Sequence, residues 1–217
     1  MLSGTNLLEH LIENKDILYI YEIGLQIYGL FTDSEDRDFL LVISDDYDIP
    51  KELKDNEHIT IYRISDWFKK VLLNEMIAWE CACLPKKYVI KEHVKLLLQT
   101  NPLQLRKEFD ETYKYTFASA QANILKDKPI TGQKGLWTII KYLKFANQII
   151  ENHKIVNFKD VAEDYRQIVN GQISDLDAIM DTFNEKLNVP LQLFKKYTDG
   201  PLKASKIKKI LQNKKSK

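Results

Sequence analysis

The sequence predicts an α+β protein, in which a small mixed β-sheet with flanking helices is followed by an all-helical C-terminal region. Strand-like runs of β-branched and aromatic residues occur only in the first part of the chain. Apolar residues at helical spacing dominate from residue 91 onward. Strands followed by helices alone are typical of α+β folds or of separate domains. We therefore predict a core over residues 1–90 and a helical domain with a basic C-terminal tail over residues 91–217.

The first ninety residues contain the predicted strands. Leucines and an isoleucine at helical spacing predict a helix over residues 4–14. Three segments rich in β-branched and aromatic residues then predict strands at 17–23, 38–44 and 58–64. Gly24 ends the first strand, and Pro50 follows the second. Ser65 is predicted to cap a helix that extends to about residue 83, before Pro85.

The remainder of the chain shows helical periodicity with few strand signals. The predicted helices cover residues 92–127, 133–152, 158–169, 174–197 and 201–213. Pro102 is expected to break or kink the first of them, because proline cannot donate the intrahelical hydrogen bond. Turns are predicted at Gly132, at Gly171 and at the Gly200-Pro201 dipeptide.

Composition narrows the class of protein. A formal net charge of +1 gives no overall attraction to nucleic acid or to membranes. No stretch approaches the roughly 18 apolar residues that a membrane helix needs. The first residues lack the basic start and apolar run of a signal peptide. Cys81 and Cys83 lie in one apolar stretch and are expected to be reduced core thiols. These features predict a cytoplasmic protein with no membrane partner.

One segment carries residues suited to chemistry on phosphates. The first predicted strand ends at Gly24, and the second begins around Asp36 and Asp38. Residues at i and i+2 of a strand project from the same face, so the two carboxylates can aim at one point. Paired carboxylates repel unless a cation lies between them, and Mg²⁺ prefers such ligands together with phosphate oxygens. The glycine lets a backbone approach a phosphate closely.

These residues resemble a family signature. A strand, a glycine, a spacer and Asp-x-Asp mark the polymerase-β-like nucleotidyltransferases. The sequence is most similar to a branch of predicted bacterial and phage nucleotidyltransferases, some of which are named for an RNA-repair pathway. The ungapped match consists of Glu22, Gly24, Tyr28, Gly29, Leu30, Thr32, Asp36 and Asp38. Weaker similarity covers residues 67–80, which include Trp67, Trp79 and Glu80, and the segment from Lys134 to Ile150.

The resemblance implies an enzyme that binds a nucleoside triphosphate such as ATP with two Mg²⁺ ions. It would transfer the nucleoside monophosphate to a macromolecular acceptor, either RNA or a protein. Asp36 and Asp38 would be the catalytic metal ligands, because two metals stabilise both the attacking and the leaving oxygen. Glu57 is the nearest candidate for the family's third acidic ligand. The predicted nucleotide-binding residues are Gly24, Leu25, Gln26, Lys134 and Lys141.

Departures from the signature leave two alternatives open. Leu25 and Gln26 stand where the family has a phosphate-binding serine and an arginine, and the strand at 58–64 contains no acid. A catalytically silent nucleotidyltransferase-like module that binds a protein or nucleic-acid partner would account for these changes. The second alternative is nucleic-acid binding by the C-terminal tail, because its lysines could contact phosphates. After Asp199 the chain has no acid but carries Lys203, Lys206, Lys208, Lys209, Lys214, Lys215 and Lys217.

Overall fold

The chain divides into two compact units, Met1–Gln99 and Thr100–Lys217. The computed structural model describes the backbone of residues 4–30, 37–169 and 176–214, and the side chains of residues 8–30, 37–169 and 177–198. The first unit contains a sheet with helices, and the second unit is helical in its described part. The α+β architecture with a helical C-terminal region is therefore confirmed.

A four-stranded mixed sheet forms the centre of the first unit. The elements follow one another as α1 Gly4–Glu13, β1 Ile17–Ile23, β2 Asp38–Ile43, α2 Lys51–Lys54, β3 Ile59–Arg63, α3 Ile64–Leu72, α4 Met76–Cys83 and β4 Val89–Glu92. The strand order is β3-β2-β1-β4. The central strand β1 is antiparallel to both β2 and β4, and β2 is parallel to β3.

The two faces of the sheet pack against different helices, since successive strand residues point to opposite sides. On one face, Ile20 and Leu41 belong to a core cluster with Leu11 of α1 and Leu53 of α2. On the other face, the ring of Tyr21 lies 6.2 Å, between centroids, from the ring of Trp67 on α3. Burying each such large side chain contributes about 1.5–3 kcal/mol. Because helices pack on both faces of the sheet, the ends of its strands are held in place.

The three predicted strands of the first unit are confirmed to within one residue at every end, but other features differ. Strand β4 was not predicted, and the predicted boundary at residue 90 falls inside it. The helix expected from Ser65 to residue 83 is two helices. Asn74 adopts a left-handed conformation with φ 57°, which ends α3 and redirects the chain into α4. Ser65 is not the cap, because it lies inside α3, whose N-cap position is Arg63, and its N–H donates to the Asp45 carboxylate at 3.2 Å.

The second unit consists of α5 Pro102–Leu125, α6 Pro129–Asn152, α7 Ala162–Ile168 and α8 Leu176–Lys214, with a short 3-10 turn before α7. The rings of Phe109 and Tyr142 lie 5.6 Å apart, and those of Phe109 and Phe194 lie 5.4 Å apart. Aromatic contacts of this kind join α5, α6 and α8 into one core. At the start of α5, the Asn101 side chain accepts a hydrogen bond from the Gln104 N–H at 3.2 Å.

Two predicted turns in the second unit are wrong, and its first helix begins later than predicted. The helix expected from residue 92 begins only at Pro102, since proline is well suited to the first turn of a helix. Gly132 lies inside α6, where its small size lets two helices approach. Gly200 and Pro201 lie within α8, because a proline removes one intrahelical bond without necessarily ending the helix. Gly171 lies outside the described residues.

Candidate functional site

The carboxyl end of β1 brings a glycine and a carboxylate into contact. In the antiparallel register Ile23 pairs with Asp38, so the first residue of β2 lies beside the residue that follows β1. Gly24 has φ 106°, a conformation that L side chains rarely adopt. A Cβ added to Gly24 would lie 2.8 Å from Oδ2 of Asp38. The position therefore requires glycine, and the Asp38 carboxylate lies directly against its backbone.

Two hydrogen bonds, one of them buried, hold the loop after Gly24 in place. Residues Leu25–Tyr28 form a 3-10 turn. The buried Tyr28 hydroxyl donates to Oε2 of Glu80 on α4 at 2.5 Å, and the Tyr88 hydroxyl donates to the Gln26 carbonyl at 3.2 Å. Burial raises the pKa of the Tyr28 hydroxyl well above its ordinary value, and the Glu80 carboxylate adds to the rise. Tyr28 thus remains a neutral donor that ties the loop to α4.

Glu22 anchors a second set of contacts, on the face of the sheet opposite to Tyr21. Its buried carboxylate accepts hydrogen bonds from the Arg37 guanidinium, in a two-point arrangement that includes Arg37 Nε at 2.9 Å. These bonds raise the pKa of Arg37. The Gln26 amide donates to the Ile23 carbonyl at 2.5 Å and to Glu22 at 3.3 Å. Gln26 therefore braces the end of β1 from within the loop.

A histidine completes the accessible part of the site. His58 Nδ1 lies 3.1 Å from Oδ1 of Asp38, and the two side chains are 38% and 47% exposed. Their proximity follows from the parallel pairing of β2 with β3, where the Phe39 N–H donates to the His58 carbonyl at 2.8 Å. The Glu57 carboxylate lies on the other side of the ring, with Oε1 3.8 Å from Nε2.

The structure brings together some of the predicted site residues. Gly24 and Asp38 are in contact, and Leu25 and Gln26 lie in the adjoining turn. Glu57 is 89% exposed and faces His58. Asp36 lies outside the described residues. Within the part of the chain that the structure describes, no three His, Cys, Asp or Glu side chains form a group that could hold a metal ion.

The two predicted lysines belong to the second unit. Lys134 is exposed on α6, and the Lys141 ammonium lies 5.5 Å from the centre of the Trp137 ring. Their contact with a nucleotide stays a prediction. The histidine was missed from sequence, because its proximity to Asp38 depends on the parallel pairing of two strands. The two residues are 20 positions apart along the chain. The position of His58 as the first residue of a predicted strand was the one available signal.

The geometry of the first unit suits recognition of a cation or a phosphate. The Asp38 carboxylate is accessible at the first residue of β2, and the half-buried Gly24 adjoins it. An accessible carboxylate of this kind can ligate a divalent cation. A glycine backbone lets phosphate oxygens approach closely. The anchored turn keeps both groups in place without a ligand.

Comparisons with known proteins add one likeness. No protein-family model matches the sequence, and no curated protein matches it. A structural match is found to the crystal structure of a nucleotidyltransferase-like protein from Exiguobacterium sibiricum 255-15, with 12% sequence identity and a TM-score of 0.37. The match covers 89% of this chain and 76% of the other chain. Within the described residues, no helix combines the length and apolar character needed to cross a membrane.

Proposed function

We propose that this protein is a Mg²⁺-dependent nucleotidyltransferase, which moves a nucleoside monophosphate from a nucleoside triphosphate to RNA or to a protein. The observation that carries the proposal is the contact between Gly24 and the Asp38 carboxylate. A metal–nucleotide complex requires a backbone that phosphate oxygens can approach and a carboxylate that ligates the cation, and the adjoining Gly24 and Asp38 are the residue types suited to these two roles. The resemblance of residues 22–38 to the nucleotidyltransferase signature supports the same reaction.

The donor set is compatible with Mg²⁺ that is held jointly by protein and nucleotide. Asp38 would supply a carboxylate ligand together with Asp36, and oxygens of the triphosphate and of water would complete the shell, as is usual for this ion. When bound, Mg²⁺ supplies charge stabilisation for the attacking and leaving oxygens. The role of the chain itself is to orient the triphosphate along the Gly24 backbone and to keep Asp38 in a fixed position.

A second candidate function is a catalytically silent module that binds a protein or nucleic-acid partner. One specific observation favours it. The side chain of Gln26 is engaged in bonds to Ile23 and Glu22, and Leu25 offers no hydroxyl to a phosphate. A loop with these residues offers fewer side-chain contacts to a triphosphate than the family signature does. Such a module would keep the fold without nucleotide transfer.

Calorimetric titration of ATP, GTP, CTP and UTP with Mg²⁺ separates the two functions. We expect one or more nucleotides to bind only when the divalent cation is present. Asp38→Asn removes the ligand charge and keeps the shape, so binding should fall by on the order of tenfold or more. Asp46→Asn, at an exposed aspartate in the turn after β2, is the matched control and should bind normally.

Transfer is measured next, with the α-phosphate of each nucleotide radiolabelled. Label that appears on the protein itself or on added RNA, and that disappears in Asp38→Asn, supports the enzyme. Binding without transfer to either acceptor favours the silent module. If wild-type protein binds none of the four nucleotides at saturating Mg²⁺, the enzyme proposal is wrong.

A further inference from the structure

The separation of Asp38 and His58 matches that of two ligands on one cation. Donor atoms about 2.1 Å from a metal and at right angles to each other are about 3.0 Å apart. The observed distance between His58 Nδ1 and Asp38 Oδ1 is 3.1 Å. A hydrogen bond has a similar length, so the distance alone allows both arrangements.

A second observation, on the far side of the imidazole, favours the metal. Histidines that ligate metals generally direct their other ring nitrogen toward a carboxylate, which fixes the tautomer and raises the basicity of the ligand. His58 has this arrangement, because Nε2 faces the Glu57 carboxylate at 3.8 Å. That separation is longer than a direct hydrogen bond, but it is short enough for the charge of the Glu57 carboxylate to act on the imidazole. In this arrangement the two ligands would be Asp38 and His58. The carboxylate that supports the imidazole would be Glu57.

The pair is accessible and held by backbone pairing. Both side chains are between one third and one half exposed, so a hydrated cation can reach them from solvent. His58 directly precedes β3, and its own N–H donates to the Asn56 side chain at 2.9 Å. Asp38 is the first residue of β2. The hydrogen bond from the Phe39 N–H to the His58 carbonyl joins the two segments, which favours a preformed site.

We propose that His58 Nδ1 and Asp38 together ligate the cation of the proposed nucleotide site, with Glu57 as a positioning residue behind the imidazole. The role of the cation in this inference rests on the proposed function. The binding of the cation to these residues does not. An imidazole ligand shifts preference from Mg²⁺ toward divalent first-row transition metals. Because the remaining ligands are carboxylate, phosphate and water oxygens, Mn²⁺ is the transition metal that suits the shell best.

The probe is Mn²⁺ added to the full-length, chelator-treated protein, first without a nucleotide and then with ATP. Electron paramagnetic resonance of free Mn²⁺ gives the affinity, and competition with Mg²⁺ gives the preference. We expect Mn²⁺ to bind at least about tenfold more tightly than Mg²⁺, in line with the 10–100-fold effects seen at metal sites. Pulsed measurements on bound Mn²⁺ should show the magnetic coupling of a coordinated imidazole nitrogen.

Two substitutions at one position separate a ligand from a hydrogen-bond donor. His58→Asn keeps an N–H near Asp38 but has no imidazole, so it should lose the nitrogen coupling and about tenfold in Mn²⁺ affinity. His58→Asp supplies a carboxylate and should move the preference toward Mg²⁺. His93→Asn is the matched control at an exposed histidine of the same unit and should leave both measurements unchanged.

These experiments distinguish a failure of this inference from a failure of the proposed function. Bound Mn²⁺ without nitrogen coupling, or an unchanged affinity in His58→Asn, would overturn the inference even if nucleotides bind with Mg²⁺. Absence of Mn²⁺ binding both with and without ATP would overturn it as well. Nitrogen-coupled Mn²⁺ that binds none of the four nucleotides would support the metal site and contradict the nucleotidyltransferase. Circular dichroism of each variant confirms that the fold is retained.

Discussion

Gly24 in the first unit and Gly132 in the second both exclude a larger residue, but for different physical reasons. A Cβ at Gly24 would lie 2.8 Å from the Asp38 carboxylate, which is accessible at the rim of the sheet. A Cβ at Gly132 would lie 2.5 Å from the Ala120 carbonyl oxygen and 2.4 Å from Ile124 Cγ1, inside a helix contact. Glycine therefore allows contact with an accessible carboxylate in one region and close packing of two helices in the other.

The largest expected effect is on stability, in Gly132→Ala. The added methyl group meets a backbone carbonyl that cannot rotate away, so α5 and α6 must separate. We expect a loss of about 3 kcal/mol in the free energy of unfolding, even though alanine favours a helix over glycine by about 1 kcal/mol. Urea titration measures the loss as a lower midpoint.

The matched control for Gly132→Ala lies three residues along the same helix. A Cβ at Gly135 would lie 3.1 Å from the Ala120 side chain, a close contact with a methyl group rather than with backbone. Gly135→Ala should be neutral or slightly stabilising, because the gain in helix propensity is the same in both variants. Equal losses in the two variants would contradict the packing account of Gly132.

Gly24→Ala should change binding more than stability. Placing alanine at φ 106° costs about 1–2 kcal/mol, and the new Cβ must displace the Asp38 carboxylate. We expect cation and nucleotide affinity to fall by on the order of tenfold or more, since Asp38 loses its position. Titration calorimetry measures the affinity, and urea titration measures the smaller stability loss.

Gly29→Ala isolates backbone strain from the displacement of Asp38. Gly29 ends the same 3-10 turn with φ 74°, in the left-handed region. Its substitution should also cost about 1–2 kcal/mol of stability. If Gly29→Ala weakens nucleotide binding as much as Gly24→Ala does, the contact with Asp38 is not what matters, and the whole turn acts as a unit.

The contrast between the glycines also shows which parts of the fold a sequence can reveal. Gly24 follows a strand rich in β-branched and aromatic residues, so local pattern identified both the strand end and the glycine. Gly132 was predicted to be a turn, because only the tertiary approach of α5 explains a glycine inside α6. Strand β4 was missed since it is four residues long, contains the charged residues Lys91 and Glu92, and lies at the sheet edge.

The candidate site, like the fold, was predicted from the sequence only in part. Gly24 and Asp38 were identified from their spacing, and the antiparallel register brings them into contact. His58 was not, because a parallel neighbour depends on how β2 and β3 align rather than on any local motif. The contact of Tyr28 with Glu80 was likewise missed, since it joins residues 52 positions apart. Nonlocal contacts, rather than residue types, account for what sequence reasoning missed.

Tyr28→Phe should have a moderate effect on the region around Gly24. The substitution removes the hydroxyl that donates to the buried Glu80 carboxylate and keeps the ring. A hydrogen bond to a charged group contributes about 1.5–3 kcal/mol, and we expect a stability loss near the lower end, about 1.5 kcal/mol. Tyr88→Phe, which removes a half-buried bond to the Gln26 carbonyl, should cost about 1 kcal/mol.

A further measurement on Tyr28→Phe sharpens the comparison between the two glycines. If the turn is held mainly by this anchor, hydrogen exchange at the amides of residues 27–30 should accelerate in Tyr28→Phe while the amides of α6 remain protected. Acceleration spread equally over both units would show that the loss is global. In that case the anchored turn would not be a separate element of the site.

The smallest effects are expected at the two lysines of α6. Lys134→Ala changes an exposed side chain and should alter stability by less than about 0.5 kcal/mol. Lys141→Ala removes the ammonium near the Trp137 ring and should cost about 0.5–1 kcal/mol. If the proposed phosphate role holds, nucleotide affinity should nevertheless fall severalfold in both variants.

Lys107→Ala, on an exposed position of α5, is the control for a nonspecific loss of positive charge. Weaker nucleotide binding in Lys134→Ala but not in Lys107→Ala would mean that the second unit takes part in binding. Unchanged affinity in all three variants would restrict the second unit to the packing role illustrated by Gly132. The nucleotide would then be recognised by the first unit, through Gly24, Asp38 and His58.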